Sequence, residues 1–325
     1  MTDTQERTRP ASTEDVIAAL RHEAGSTGFH RTLDGEHTAT LIRRGPMLMV
    51  SFEDTAASLA RRGGLPVGLD LVDDKDWSLL HVTADDASWF RRDAIYDFFD
   101  EMTDEGVFDT FEQVLFYGVG MGGYAACAFS VASPAARVLA IEPQATLERD
   151  RTGWETRFRE SRALEFRRRY GYAPDMVEGA ERAFIVFDPH RQLDHVHASM
   201  FWGENVTHLK VPRLEGVTDD RLDLALEELD ILHRVIAEVG SGTMRAQDFY
   251  GYYRNRRAHG PYLRTLLQAT IDRGSPRLTA LLCAKVLETQ RAPLFRRQLR
   301  AAARRLATKG ERPDWLAEVI DAAAD

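Results

Sequence analysis

The sequence predicts an α/β fold: a mostly parallel sheet with an antiparallel hairpin at one edge, followed by an all-helical C-terminal region. Three observations carry that prediction. Short apolar runs between residues 46 and 212 are mostly separated by helical patterns, as expected of parallel strands joined by crossover helices. Asp34-Gly35 lies between two alternating runs, the turn chemistry of a hairpin. Beyond about residue 219 strand signals cease and only helical periodicity continues.

Taken in order, "STEDVIAALRHEAG" begins with Ser12 or Thr13 as a cap, has acids in its first turn and stops at Gly25, predicting a short helix. "GFHRTLDGEHTATLIRRGPMLMVSF" reads as the hairpin and then a more buried strand, "PMLMVSF". Further strands are predicted at "WSLLHVT" (77–83), "QVLFYG" (113–118), "ARVLAIEP" (136–143), "AFIVFDP" (183–189) and "VTHLKVP" (206–212). Helical patterns between them include "RDAIYDFFDEM" and "WETRFRESRALEFRRRYG". The C-terminal helices are "DDRLDLALEELDILHRVIAEVG", "MRAQDFYGYYRNRRAHG", "GPYLRTLLQATIDRG", "SPRLTALLCAKVLETQ" and "APLFRRQLRAAARRLATKG", most joints being marked by Gly or Pro. No repeat of fixed period joins them. The expected division is an N-terminal helix (1–27), a sheet domain (28–220) and a basic helical region (221–325).

Composition sets bounds on function. The chain has 325 residues, 44% apolar and 29% charged, enough length and apolar content for a large core. No stretch approaches the ~20 consecutive apolar residues of a membrane span, and "MTDTQERTRPAS" lacks the apolar core of a secretory leader, so a cytoplasmic location is expected. Cys127 and Cys283 stand outside any C-x-x-C spacing, which predicts buried thiols rather than a disulfide or zinc framework. The net charge of -9 hides an asymmetry: 24 Lys+Arg against 38 Asp+Glu in residues 1–220, and 18 against 13 in residues 221–325. Residues 254–309 alone hold 14 basic and 2 acidic side chains. Such a block can attract an anionic polymer or a membrane surface, or can simply be the solvated side of helices.

Chemistry concentrates at "VLFYGVGMGGYAACAF" (114–129), where an apolar strand meets a helix through glycines. Gly118, Gly120 and Gly123 satisfy G-x-G-x-x-G, and Glu142 follows 19 residues after Gly123. That spacing suits a dinucleotide: glycines admit the pyrophosphate, the helix N-terminus supplies N–H donors, and the acid holds ribose hydroxyls. NAD(P) or S-adenosylmethionine would be the cofactor of such an enzyme. The same stretch resembles the nucleophile elbow of the α/β-hydrolase superfamily, G-x-S-x-G, with Gly120 at the nucleophile position. The resemblance covers roughly residues 28–220. It implies that the triad acid is Asp188, in "IVFDPH", and that the base belongs in "RLEGVTDD", which contains no histidine. Without Ser and His the acid alone cannot transfer protons to an attacking group. The resemblance therefore implies no catalytic residue, and a binding or accessory protein for a small molecule or anion. Its candidate ligand-binding residues are Gly118, Gly120, Met121, Gly122, Glu142, Asp188, His190 and Trp89.

The pattern "YGVGMGGYAACAFSVASPAARVLAIEPQATL…RRRYGYAPDM…VFDPH" is also similar to a group of bacterial proteins often labelled phosphoadenosine phosphosulfate reductase. Such a reductase resembles a fold with an S-G-G-x-D-S-type phosphate loop and a catalytic cysteine near its C-terminus, and neither motif is found here.

Other stretches admit two readings each. His190, His195 and His197 with Asp188 and Asp194 invite a metal, but a helix after Pro189 would turn His195 and His197 to different faces. Trp89 follows a strand on the edge where open α/β sheets bind ligands, with Arg91 and Arg92 beside it to grip an anion; it can equally pack under the next helix. The aromatics Phe249, Tyr250, Tyr252 and Tyr253 interleave with Arg254, Arg256 and Arg257, to stack bases or to dock a helix. In "LFRRQLRAAARRLATKG" an apolar stripe opposes Arg296, Arg297, Arg300, Arg304 and Arg305, giving an amphipathic helix suited to anionic lipid, to nucleic acid or to the edge of a bundle.

Overall fold

The computed structural model describes residues 9–61, 63–214, 221–310 and 315. Helix α1 (Thr13–Ala24) opens on a capping box: the Ser12 hydroxyl accepts from the Asp15 N–H while the Asp15 carboxylate accepts from the Ser12 N–H. The hairpin strands β1 (Phe29–Thr32) and β2 (His37–Ile42) follow, joined through Asp34, whose Oδ1 accepts the Glu36 and His37 N–H groups. Next come β3 (Met47–Asp54), α2 (Thr55–Leu59), α3 (Val67–Lys75), β4 (Ser78–Ala84), α4 (Asp93–Asp104), β5 (Gln113–Val119), α5 (Met121–Phe129) and β6 (Arg137–Ile141). The chain continues through α6 (Arg149–Thr152), α7 (Ala173–Met176), β7 (Arg182–Phe187), α8 (Gln192–Ser199) and β8 (Val206–Lys210). Helices α9 (Leu222–Glu228), α10 (Leu232–Gly240), α11 (Ala246–Tyr252), α12 (Gly260–Asp272), α13 (Pro276–Leu287) and α14 (Pro293–Thr308) complete it.

The strands form one sheet in the order β1-β2-β4-β3-β5-β6-β7-β8. The β1–β2 and β2–β4 pairings are antiparallel and all the others parallel, so the antiparallel character lies at one edge, as expected. Because side chains alternate along a strand, Leu48, Val50 and Phe52 of β3 enter one core, where Phe99 and Phe129 stack on Phe52 and Phe90 meets it edge-on. The intervening Ser51 and Glu53 face the other side, which α3 and α10 cover. That layer is unusually polar for a buried one: Ser51, Glu53, His81 and Tyr117 are all nearly inaccessible.

The described residues divide into two compact units between Arg254 and Asn255. The first contains the sheet together with α9, α10 and α11. Within it Phe249 and Tyr253 are buried; the Tyr253 hydroxyl donates to the Pro212 carbonyl, and the Tyr250 hydroxyl accepts the Lys210 N–H. These aromatics dock α11 against the end of β8. In the second unit α12 packs on α13 and α13 on α14, with Phe295, Leu299, Ala302 and Leu306 buried along one stripe of α14. Both cysteines are free and buried; burial raises the Cys127 thiol far above its ordinary range and the Cys283 thiol to about 12. No helix among the described residues is long and apolar enough to cross a membrane.

Two helical expectations need correction. "WETRFRESRALEFRRRYG" is not an α-helix: it forms turns with one 3₁₀ segment, Glu160–Ala163. Its apolar residues dock singly, Phe158 on Trp89 and Phe166 on Tyr124. Its carbonyls find partners outside any helix, Glu165 and Arg169 in the Arg91 guanidinium, and Tyr170 and Gly171 in the Tyr124 hydroxyl. Likewise "DDRLDLALEELDILHRVIAEVG" does not form one continuous helix, because Asp230 adopts φ +57 and ends α9 before α10 begins.

Candidate functional site

Strand β5 runs into α5 through Gly120, at φ +56 and ψ -118, a conformation L side chains rarely adopt. The surrounding glycines are required by close packing. A Cβ on Gly118 would lie 2.1 Å from the Gly122 carbonyl oxygen, and one on Gly122 would lie 2.2 Å from the Phe52 carbonyl oxygen. Gly120 differs, since a Cβ there would meet nothing within 4 Å. The Gly120 N–H is already used, donating to the Ile141 carbonyl at 2.8 Å, and its carbonyl accepts from the Tyr124 N–H at 2.9 Å. The turn is therefore a sharp strand-to-helix connection, with open space where a side chain at position 120 would project.

A cavity of about 260 Å³ lies over this turn. Its apolar lining comes from Phe52, Ala57, Val119 and Met121, and its charged lining from Glu53, Asp54, Arg61, Glu142 and Arg221. Gly120 and Gly122 complete the wall, where the first turn of α5 presents N–H groups that have no acceptor within the helix.

The charges are arranged as a buried network around Arg61, whose side chain is 3% exposed. Its guanidinium meets Asp223 at 2.9 Å, Glu53 at 3.3 Å and Glu227 at 3.3 Å, and donates to the Tyr117 hydroxyl at 3.4 Å. Burial works against its charge, but the surrounding Glu53, Tyr117, Asp223 and Glu227 outweigh that and raise its pKa. The reciprocal holds for Asp223: burial raises its pKa, while hydrogen bonds from Arg221 and the charge of Arg61 bring it below the ordinary value. Arg221 also donates to the Ala57 carbonyl, tying α9 to α2. Tyr117 is pushed upward by burial and stays protonated.

Four of the expected ligand-binding residues, Gly120, Met121, Gly122 and Glu142, share this cavity. Glu142 sits at φ +51 with its carboxylate 3.4 Å from the Arg191 guanidinium. Gly118, Asp188, His190 and Trp89 lie outside the lining. Gly118 packs β5 against α5. Asp188 is buried, and its two oxygens accept the His190 N–H at 2.8 Å and the Arg213 N–H at 2.6 Å, so it fastens two loops. The His190 residue is exposed. Trp89 is buried, donates to Gln144 and meets the Phe158 ring edge-on. Arg91 is likewise buried, and Arg92 pairs with Glu36 and Asp86. Most of "RLEGVTDD", residues 215–220, lies outside the described residues.

Sequence reasoning missed Arg61 and Arg221, and also two buried Ser–His contacts. Ser51 and His81 face each other across β3 and β4, with Oγ 2.7 Å from Nδ1. Their opposition required the strand register. The other is a chain of three: Ser88 Oγ is 2.7 Å from His37 Nε2, and His37 Nδ1 is 2.8 Å from Asp34 Oδ1. This is the order of a nucleophile, base and acid, yet Ser88 and His37 are each 1% exposed and neither lines the elbow cavity. Here the contacts clasp the hairpin to the loop after β4. A third histidine, His197, accepts the Ala145 N–H on Nδ1 and donates from Nε2 to Glu155, both side chains being inaccessible. His195 is exposed on α8, so the two histidines do face apart.

No protein-family model and no curated protein matches the sequence. Solved structures similar to the chain include Est1E from Butyrivibrio proteoclasticus, at 12% identity and TM-score 0.42 over 65% of this chain and 98% of that one. A Pyrobaculum calidifontis esterase shares 12% identity at TM-score 0.44, over 74% and 96% of the two chains. FphF, a fluorophosphonate-binding serine hydrolase of Staphylococcus aureus, shares 12% at TM-score 0.44, over 66% and 96%. The sheet's own order and turn define the fold: it is α/β-hydrolase-like, mostly parallel, with its fifth strand feeding a sharp turn into a helix.

Proposed function

We propose that this chain is a binding or accessory protein that holds a small ligand in the elbow cavity without cleaving it. The observation that carries the reading is Gly120: the turn keeps the form of an elbow, while the residue that would attack has no side chain. The acid expected at Asp188 supports it too, since both carboxylate oxygens hold loop backbone. A carbonyl or anionic oxygen would sit against the N–H groups of Met121 and Gly122 at the N-terminus of α5, with Glu142 and Arg221 on the surrounding wall. At about 260 Å³ the cavity falls at the small end of ligand pockets, which run from about 300 to 1,000 Å³, so the ligand is small.

The competing reading is an enzyme holding NAD(P) or S-adenosylmethionine on Gly118, Gly120, Gly123 and Glu142. It draws on Gly120 and Glu142 lining one cavity. Against it, Gly118 and Gly122 lack a Cβ because internal backbone fills that space, and the Gly120 N–H is committed to Ile141.

Turnover of activated esters and labelling by a fluorophosphonate probe test the first reading. The native chain and Gly120→Ser are both expected to give neither, because a hydroxyl at 120 would have no base. Turnover by the native chain that survives Ser88→Ala would overturn it. A thermal-shift screen separates the second, since a cofactor at 100 times its Kd adds about 2.7 kcal/mol of stability. A shift with NAD(P) or S-adenosylmethionine that Gly120→Ser abolishes would replace the binding-protein reading with the enzyme.

A further inference from the structure

Helix α14 carries Arg296, Arg297, Arg300, Arg304 and Arg305 and no acidic residue between Pro293 and Thr308. Its apolar stripe is buried, whereas Arg297, Arg300, Arg304 and Arg305 are exposed and Arg296 is half-buried. In the first unit some exposed arginines have carboxylate partners, as Arg167 and Arg169 do, whereas Arg149, Arg159 and Arg168 are scattered singly rather than aligned along one helix. Ion pairs beyond residue 230 include His233–Asp70, Arg234–Glu238, Arg245–Asp248 and Lys285–Glu288, and none of these reaches α14. The Arg296 Nε is buried with no hydrogen-bond partner. Arg296, Arg300 and Arg304 repeat every four residues, a step of about 6 Å along the axis, and with Arg297 they line an open groove of about 350 Å³. Like charges at this spacing oppose the helix, and a polyanion in the groove would relieve that opposition.

We propose that the outward face of α14 binds the phosphate backbone of nucleic acid without reading base sequence. Guanidiniums in a row suit successive phosphates. The two aromatics of α12–α14, Tyr262 and Phe295, are buried, so no ring on these helices is presented for base stacking. Insertion into lipid is disfavoured because the apolar stripe such a helix would bury in the bilayer is already covered.

The test is fluorescence anisotropy of the full chain with a labelled 20-nucleotide single strand of mixed sequence and with its duplex, at 50 to 200 mM salt. For four or five phosphate contacts the single strand should give a slope of log K against log salt of about -3. Changing its base sequence should alter the affinity less than twofold. The triple variant Arg296→Gln, Arg300→Gln, Arg304→Gln should weaken binding at least tenfold at 50 mM salt and flatten the slope by about 2, with helicity by circular dichroism unchanged. Neutralising Arg149, Arg159 and Arg168, three exposed arginines of the first unit, changes net charge equally and should leave binding within twofold. No binding of the native chain to either oligonucleotide at 50 mM salt overturns the proposal. So does equal weakening in the two triple variants, or tighter binding to phosphatidylserine vesicles than to the oligonucleotides. If the α14 variant loses helicity, the native salt slope and sequence independence remain as tests.

Discussion

A methyl group at Gly118 would be driven into the Gly122 carbonyl at 2.1 Å, and neither backbone can retreat, because Gly122 itself rests on the Phe52 carbonyl. Gly118→Ala and Gly122→Ala are therefore expected to lose several kcal/mol, by the overpacking and strain that dominate severe core substitutions. Gly120→Ala meets open space and carries only the strain of φ +56, on the order of 1–3 kcal/mol. Urea denaturation of the three variants checks the order; a Gly120→Ala loss as large as the other two would mean that the turn is not built as described. The same residues explain why the strand-to-helix turn was legible in the sequence. Its requirement for glycine is local, written in consecutive positions between an apolar strand and a helix. Arg61 and Arg221 share the cavity but could not be read there, since residues 160 positions apart in sequence meet only once α9 lies against α2.

At the scale of elements, Arg61 joins the end of α2 to β3 through Glu53, to β5 through Tyr117 and to α9 through Asp223 and Glu227. Removing the cation would leave the nearly inaccessible Glu53 without a charged partner and Asp223 with Arg221 alone. Arg61→Met is expected to lose about 3–5 kcal/mol, the usual result of breaking one side of a buried ion pair. Adding Asp223→Asn to Arg61→Met should lose less than the sum of the two single changes, and a double-mutant cycle measures that coupling. Additive losses would show that the pair does not act as a unit. Elements with one buried face were legible in the sequence: the hairpin, the six later strands and α1, whose cap, acids and terminal glycine agree. The segment 154–171 misled because its Trp, Phe and Leu recur at helical intervals yet each enters a different gap, and a periodicity count cannot distinguish one shared face from several separate anchors.

Across the whole molecule, His81 and Glu155 are two of the buried groups whose shifted pKa values shape the response to acid, one mainly above pH 4 and the other mainly below 4.5. Burial lowers the pKa of His81 from the ordinary 6.5 to about 4, Glu53 pulling it back up and Arg61 pushing it further down. The unfolded chain then binds a proton that the folded chain refuses, so stability falls as pH drops from about 6.5 to about 4, by about 3 kcal/mol at most. Glu155 works lower on the scale. Burial raises its pKa, but hydrogen bonds from His197 and Arg157 prevail and bring it to about 2. Its contribution is complete above the unfolded value near 4.5 and is lost as pH falls toward 2, a loss on the order of 2–3 kcal/mol. Denaturant titrations at half-unit steps between pH 7 and pH 3 resolve the two contributions. His81→Gln should make the curve shallower from 6.5 to 4, where His30 and His208 still contribute, and leave the slope below 4, whereas Glu155→Gln should lower stability at pH 7 and make only the acid end shallower. The two residues sit in different layers with separate partners, so the double variant should combine both changes additively; an unchanged slope in His81→Gln would mean that this histidine is not the neutral, buried group the sheet encloses.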